Sequence, residues 1–410
     1  MEELVGIKGY ITSTEGMGGE IKRSAEDFYV EEIAEINIDG GDYLIIRVKK
    51  KNWDTLKLAK VLSDKLRISQ KRVGFAGTKD KRSISVQYFS IRGVKAEEVE
   101  NLKIKDVEIE VLGYARKPIE LGDLIGNSFC IRVYNCKNSN LFEQTREELK
   151  QKGTPNFFGL QRFGSIRFIT HEVGKLILQR KYEEAFWVYV AKPFENEAED
   201  VRKIREELWN TRDAKFGLRE LPKHLRYERA LLQKLREGKS EREALLSLPK
   251  NLKMMFIHAY QSYIFNKLLS ARIEEFGNLK EIHEGDWAYY LTLKPKPTFR
   301  DCSRVGVNIE RVKFLIEKRL ASLALPLVGY ETKLEGWNLK AKEFLEEDEL
   351  SLSDFKTEYK EFSSKGSYRA ADMVIEVSNI KFKDNTFSFY LPKGCYATVM
   401  LREFLKKELF

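Results

Sequence analysis

Residues 74–87 read GFAGTKDKRSISVQ. Gly74 and Gly77 permit a tight turn. Asp80 then stands between Lys79 and Lys81, with Arg82 next, and Ser85–Ile91 alternates in the manner of a strand. A nucleotide-binding phosphate loop is excluded here. That loop needs GxxxxGK followed by Ser or Thr, whereas Thr78 separates Gly77 from Lys79 and Asp80 replaces the hydroxyl. No GxGxxG follows a strand elsewhere and no βαβ repeat recurs, so a dinucleotide-binding fold has no support. An Asp after Gly-Thr is commonly a plain surface-turn residue. The functional alternative is a carboxylate that flanking cations keep ionised at neutral pH, available as base or nucleophile.

The surroundings of this stretch are basic. Ile45–Arg92 carries 14 Lys/Arg against Asp54, Asp64 and Asp80, while the whole chain has a net charge of +9. Tyr43–Val48 reads as a strand, and Asp54–Leu66 as an amphipathic helix with Leu56, Ala59, Leu62 and Leu66 on one side. The charge therefore lies on folded elements and not on a tail. It is either a solvated face or a docking surface for phosphates.

At 410 residues the chain is too long for one ordinary core. Val107–Leu112 and Phe129–Tyr134 look like further strands, and Leu141–Lys150 like a helix. From about Ile169 to Leu325 the periodicity is mostly helical, with Glu183–Ala191, Glu197–Asn210, Tyr227–Glu237, Met254–Phe276 and Ile309–Leu323 as segments. The acid-rich stretch Leu339–Glu361 reads as a solvated helix or loop. Strand character returns at Met373–Val377 and Thr386–Leu391. A turn at Pro392–Gly394 and a helix over Ala397–Leu409 follow. A β-rich start and end around a helical middle predict an α+β fold, one sheet domain interrupted by an insertion.

Counting removes other classes. Cys130, Cys136, Cys302 and Cys395 form no CxxC pair, and the four histidines form neither HExxH nor a cluster. No metal site and no disulfide scaffold is expected. Met1–Tyr10 lacks an apolar signal region and no stretch reaches a membrane span, so a soluble, cytoplasmic protein is expected.

Several segments resemble, in order, the motifs of the TruD family of tRNA pseudouridine synthases. GFAGTKDKRSISVQ is similar to the family's catalytic motif. IKRSAEDFYVEEI (21–33) is similar to its N-terminal EDF-type motif, and GNSF (126–129) to its Asn-x-Phe element. NFFGLQRFG (156–164) resembles its aromatic Gln-Arg signature, and LPKGCYATVMLRE (391–403) its C-terminal motif. HAYQSYIFN (258–266) is similar to a helix of the family's insertion. Two departures are Ala25, where many members have Pro, and Tyr396, where some have Phe.

The resemblance implies a pseudouridine synthase catalytic domain over 1–155 and 370–410, with a mixed, mostly antiparallel sheet. A largely helical α+β insertion domain would occupy 156–369. It implies isomerisation of uridine to pseudouridine in tRNA, at uridine 13, with the base flipped out and no cofactor. Asp80 matches the catalytic aspartate. Lys22, Phe28, Asn127, Phe129 and Tyr396 match substrate-binding positions. Lys79, Lys81, Arg82, Gln161 and Arg162 are candidate RNA contacts, and tRNA is the expected partner. From residue type alone, Phe28 and Phe129 would be core residues, Asn127 a turn residue, and Tyr260 and Phe265 core. Arg402 would pair with Glu403. A non-catalytic RNA-binding protein or RNA chaperone is the alternative. A metal-dependent nuclease would want clustered carboxylates that this basic segment lacks.

Overall fold

In a computed structural model, which describes residues 1–292 and 298–408, alternating sequence becomes regular strands. In chain order these are β1 (Phe28–Ala34), β2 (Tyr43–Lys51), β3 (Val73–Phe75), β4 (Ile84–Arg92), β5 (Val107–Ala115), β6 (Leu124–Arg132), β7 (Trp287–Thr292), β8 (Thr298–Arg304), β9 (Ala321–Leu327), β10 (Ser367–Ala370), β11 (Lys381–Lys383) and β12 (Thr386–Pro392). Eight of them form one sheet in the order β11-β12-β6-β1-β4-β2-β5, with β3 beside β4. β1 and β4 run parallel, and the other pairs in this sheet are antiparallel. The fold is α+β, and its mixed, mostly antiparallel sheet draws strands from both ends of the chain.

One face of this sheet is covered at two places. Asp54 caps the helix Thr55–Lys65 by accepting the Lys57 amide at 2.9 Å. Leu58, Ala59 and Leu62 of that helix pack on Leu44, Ile46, Val48, Phe89 and Ile91. Burying a side chain such as Leu58 contributes about 1.5–3 kcal/mol. The expected face needs one correction: Leu56 is 52% exposed. The polar Thr55 takes the inward position, because its hydroxyl donates to Gln87 at 2.9 Å. At the other side, Phe142 of helix Phe142–Lys152 and Phe404 of helix Ala397–Leu405 stack at 5.4 Å, and both meet Phe387 of β12.

Three further expectations are corrected. Ile309–Leu323 is not one helix. The helix ends at Glu317, Arg319 takes a φ of 57°, and residues from Ala321 belong to β9. Ala321–Pro326 is buried at every position, so no period-2 signal distinguished the strand. β9 lies within a second, four-stranded sheet, β10-β9-β7-β8. Met373–Val377 is not a strand, because Val374 has a φ of 49°, outside the β region. The acid-rich stretch is not simply solvated. Leu345, Leu350 and Phe355 are buried, and Asp348 accepts from the Tyr260 hydroxyl at 2.8 Å and pairs with Lys175 at 3.1 Å. The final helix ends at Leu405, where Lys406 turns left-handed; Leu409 lies outside the described residues.

The contacts group the chain into two compact units. One comprises Met1–Tyr10, Pro155–Tyr290 and Arg300–Asp372; the other is built chiefly from Ile11–Thr154 and the described residues from Met373 on. The first unit is organised by the helix Lys250–Phe276. Its Asn266 accepts the Phe158 amide at 2.9 Å and donates to the carbonyls of Phe158 and Val5, both at 3.0 Å. One side chain thus ties the N-terminal segment and the 156–164 stretch to the same helix. Tyr260 and Phe265 of this helix are core. No helix among the described residues is long and apolar enough to cross a membrane.

In this unit His171 stacks on Tyr263 at 4.9 Å with its Nδ1 buried and unpartnered. Burial, with Lys175 nearby, pushes its pKa from 6.5 down to about 3. Between those values the unfolded chain binds a proton that the folded chain excludes, so stability falls as the pH drops through that window. His171→Phe should therefore show a flatter dependence of the urea midpoint on pH between about 3 and 6.5. Equal slopes for variant and wild type would show that another group carries the acid sensitivity.

Candidate active site

Between the two covered ends of the sheet lies a row of side chains set by strand register. Phe28, Val30 and Glu32 of β1 stand opposite Ile131, Phe129 and Asn127 of β6, and Phe129 and Asn127 in turn face Phe389 and Leu391 of β12. Phe28 and Phe129 meet edge-on at 6.0 Å, and Phe129 stacks on Phe389 at 5.3 Å. Gly126 lets β12 approach: a Cβ there would fall 2.3 Å from the Leu391 carbonyl oxygen. Asn127 keeps Oδ1 buried with no hydrogen-bond partner. A buried polar atom without a partner is uncommon.

Asp80 lies in the loop between β3 and β4. Its Oδ2 accepts from Lys22 Nζ at 2.7 Å, with 44% of the Asp80 side chain exposed. Lys22 takes a φ of 60° and places Nζ 4.3 Å from the centre of the Phe28 ring. The following turn is stiff. Asp27 accepts the Ser24 amide at 2.7 Å and the Tyr134 hydroxyl at 2.6 Å. Burial acts to raise its pKa, but those hydrogen bonds outweigh it and hold the carboxyl below its usual range. Lys22, Asp80, Phe28 and Phe129 are thus brought together, with Asn127 two residues along β6 from Phe129.

Lys81 and Arg82 are exposed, and Arg82 donates to the Arg23 carbonyl at 2.7 Å. Lys79, expected among the RNA contacts, faces inward. It is buried, and its Nζ donates to Glu32 at 2.5 Å. Tyr396 is the half-buried N-cap of helix Ala397–Leu405, just beyond β12. Gln161 and Arg162 belong to the other compact unit. Gln161 is exposed, whereas Arg162 donates to Ser262 at 3.2 Å and lies over Phe158. Arg369 is held by Asn156 at 2.6 Å, and Arg402 pairs with Glu403 at 3.2 Å. Among the described residues no three His, Cys, Asp or Glu side chains cluster as metal ligands.

With this geometry in hand, comparison with known proteins is decisive. The family model of tRNA pseudouridine synthase D (TruD) matches residues 4–404. The chain belongs to this family. Its relatives include a "Probable tRNA pseudouridine synthase D" of Archaeoglobus fulgidus, 72% identical over the full length of both chains. Another of that name, from Methanosarcina barkeri, is 40% identical over 100% of this chain and 98% of its own. A crystal structure of the "Putative tRNA pseudouridine synthase D (TruD)" from Methanosarcina mazei superposes with a TM-score of 0.83 at 38% identity, covering 99% of this chain and 98% of the other. The members of this family are isomerases.

Sequence reasoning missed the polar layer beneath the loop that carries Asp80: Glu32, Lys50, Thr55 and Gln87, all buried. The alternation of β1 did place Glu32 on the face of Phe28. Lys50 is 1% exposed, and its Nζ donates to the Trp53 carbonyl at 2.8 Å. Burial pushes its pKa from 10.5 down to about 8; nearby Lys79 adds to this, and Asp54 and Asp80 oppose it. From about pH 8 to 10.5 the unfolded chain holds a proton that the folded chain has lost, so this group makes stability rise with pH in that window. In Lys50→Met that rise should shrink, as read from denaturant midpoints across the window. An unchanged rise would remove Lys50 from this role.

Proposed function

We propose that this chain isomerises uridine to pseudouridine in tRNA, at uridine 13, using Asp80 as its catalytic aspartate. The observation that carries the reading is the Asp80–Lys22 pair at 2.7 Å, set against the edge-on rings of Phe28 and Phe129, in a member of the TruD family. Residues 1–155 and 370–410 serve as the catalytic domain and 156–369 as the insertion, with Met1–Tyr10 grouped by its contacts with the latter.

The reaction breaks the C1′–N1 bond of uridine, turns the freed uracil and rejoins it through C5. The C5 proton is lost, N1 is protonated, and no group passes to a second molecule. Asp80 acts on the ribose side, as nucleophile at C1′ or as base at C2′. Lys22 orients that carboxylate. Phe129 stacks on the uracil, while Phe28, under the Lys22 ammonium, supports the pocket. Asn127 Oδ1, lacking a protein donor, accepts from the substrate. Tyr396, at the N-cap of the C-terminal helix, is a further substrate-binding position. Extruding the base costs about a few kcal/mol, which phosphate contacts from the exposed Lys81 and Arg82 help offset.

Pure protein incubated with unmodified tRNA transcript should form pseudouridine at position 13. Asp80→Asn should lose at least ~100-fold in rate while holding RNA affinity within about threefold. Retained turnover in Asp80→Asn would remove that residue from catalysis. Lys81→Ala and Arg82→Ala should each reduce the slope of log Kd against log salt by about 1. Unchanged slopes would remove both residues from the RNA contact.

A further inference from the structure

We propose that the buried Glu32–Lys79 ion pair is a positioning device that sets where Asp80 stands, with Lys79 working inward and not on RNA phosphate. The proposal rests on the reading of Asp80 as the catalytic aspartate. Lys79 and Asp80 are neighbours with opposite environments. Side-chain exposure is 5% for Lys79 and 0% for its partner Glu32, against 44% for Asp80. An ammonium ion so enclosed has one acceptable location, beside the carboxylate, because any other leaves two buried charges unpaired. Replacing such a pair by apolar groups is often neutral for stability, so its use is better sought in geometry than in folding energy.

The rest of the loop is tied in the same direction. The Lys79 amide donates to Thr55 Oγ1 at 3.0 Å, and Thr55 Oγ1 donates to Gln87 Oε1 at 2.9 Å. Gln87 Nε2 donates to the Gly77 carbonyl at 3.3 Å. Glu32 uses its second oxygen to accept the Tyr88 amide at 3.4 Å, which fixes the carboxylate to β4. On the far side, Ser83 Oγ donates to the Asp80 carbonyl at 2.7 Å, and the Asn52 amide to the Ser83 carbonyl at 3.1 Å. The residue before Asp80 is thus gripped at its backbone and at the tip of its side chain. Glu32, which does the gripping, sits opposite Asn127 in the sheet. The same strand therefore holds the wall of the pocket and the loop that carries the acid. Misplacing a reacting group by about 1 Å lowers rate on the order of 100-fold without a corresponding loss of binding.

The test is the double variant Glu32→Gln/Lys79→Met, which removes both charges together and leaves neither alone. It is compared with wild type and Asp80→Asn in full-length protein, with cooperative thermal unfolding confirming that each is folded. The expected result is a kcat lower on the order of 100-fold, with KM and tRNA Kd within about threefold and the salt slope of Kd unchanged. A salt slope reduced by about 1 would make Lys79 a phosphate contact and overturn the proposal. So would a wild-type kcat in the double variant while Asp80→Asn is inactive, and that outcome leaves the aspartate reading standing. Turnover by Asp80→Asn would overturn both.

Discussion

A slip of one residue between β1 and either neighbour would turn Phe28, Val30 and Glu32 to the opposite face and dismantle the site. The period of a strand is two, so register and facing are the same decision. β1 is held on one side by the antiparallel ladder to β6 and on the other by a short parallel contact with β4. The β6 contact sets the aromatic wall beside Asn127. The β4 contact places the start of β4, and so the end of the loop bearing Asp80, next to that wall. β12 extends the same ladder from the far end of the chain and stacks Phe389 on Phe129. The aromatic row needs strands from both chain ends, and a long segment between them is accommodated because neither partner strand lies within it.

The basic block divides by face. Arg47 and Lys49 project to the other side of the sheet, where they meet Glu31, Glu110 and Glu108 in exposed or half-exposed pairs. Such surface pairs contribute about 0–1 kcal/mol each. Lys50 and Lys79 turn inward and are buried. Lys81 and Arg82 remain exposed beside Asp80. A count of positive charge over Ile45–Arg92 therefore overstates what faces a phosphate backbone. The block builds a lattice on one face, a buried polar layer under the other, an exposed cluster at the loop, and further exposed cations at Lys57, Lys60, Lys65, Arg67 and Lys71.

Strand β12 was legible because burial alternates along it. β9 was not, since it is buried along its length and periodicity carries no information there. The helix Thr55–Lys65 was legible in extent, yet its face was misread at Leu56. A hydroxyl–amide bond from Thr55 to Gln87 outranks the burial of one leucine when the amide is itself buried. The loop residues were legible in identity, since the order of motifs carries the family. The direction of Lys79 was not, because its partner Glu32 lies 47 positions away in sequence.

The chain by itself determined the α+β class, the family, and the presence of one acid among cations, since these follow from residue order and local pattern. Only the folded molecule decided which cation meets Asp80 and which goes inward. That choice depends on where a strand from elsewhere in the chain presents its own charge. A buried ion settles beside its counter-ion, and the counter-ion's place is a property of packing, not of neighbouring residues.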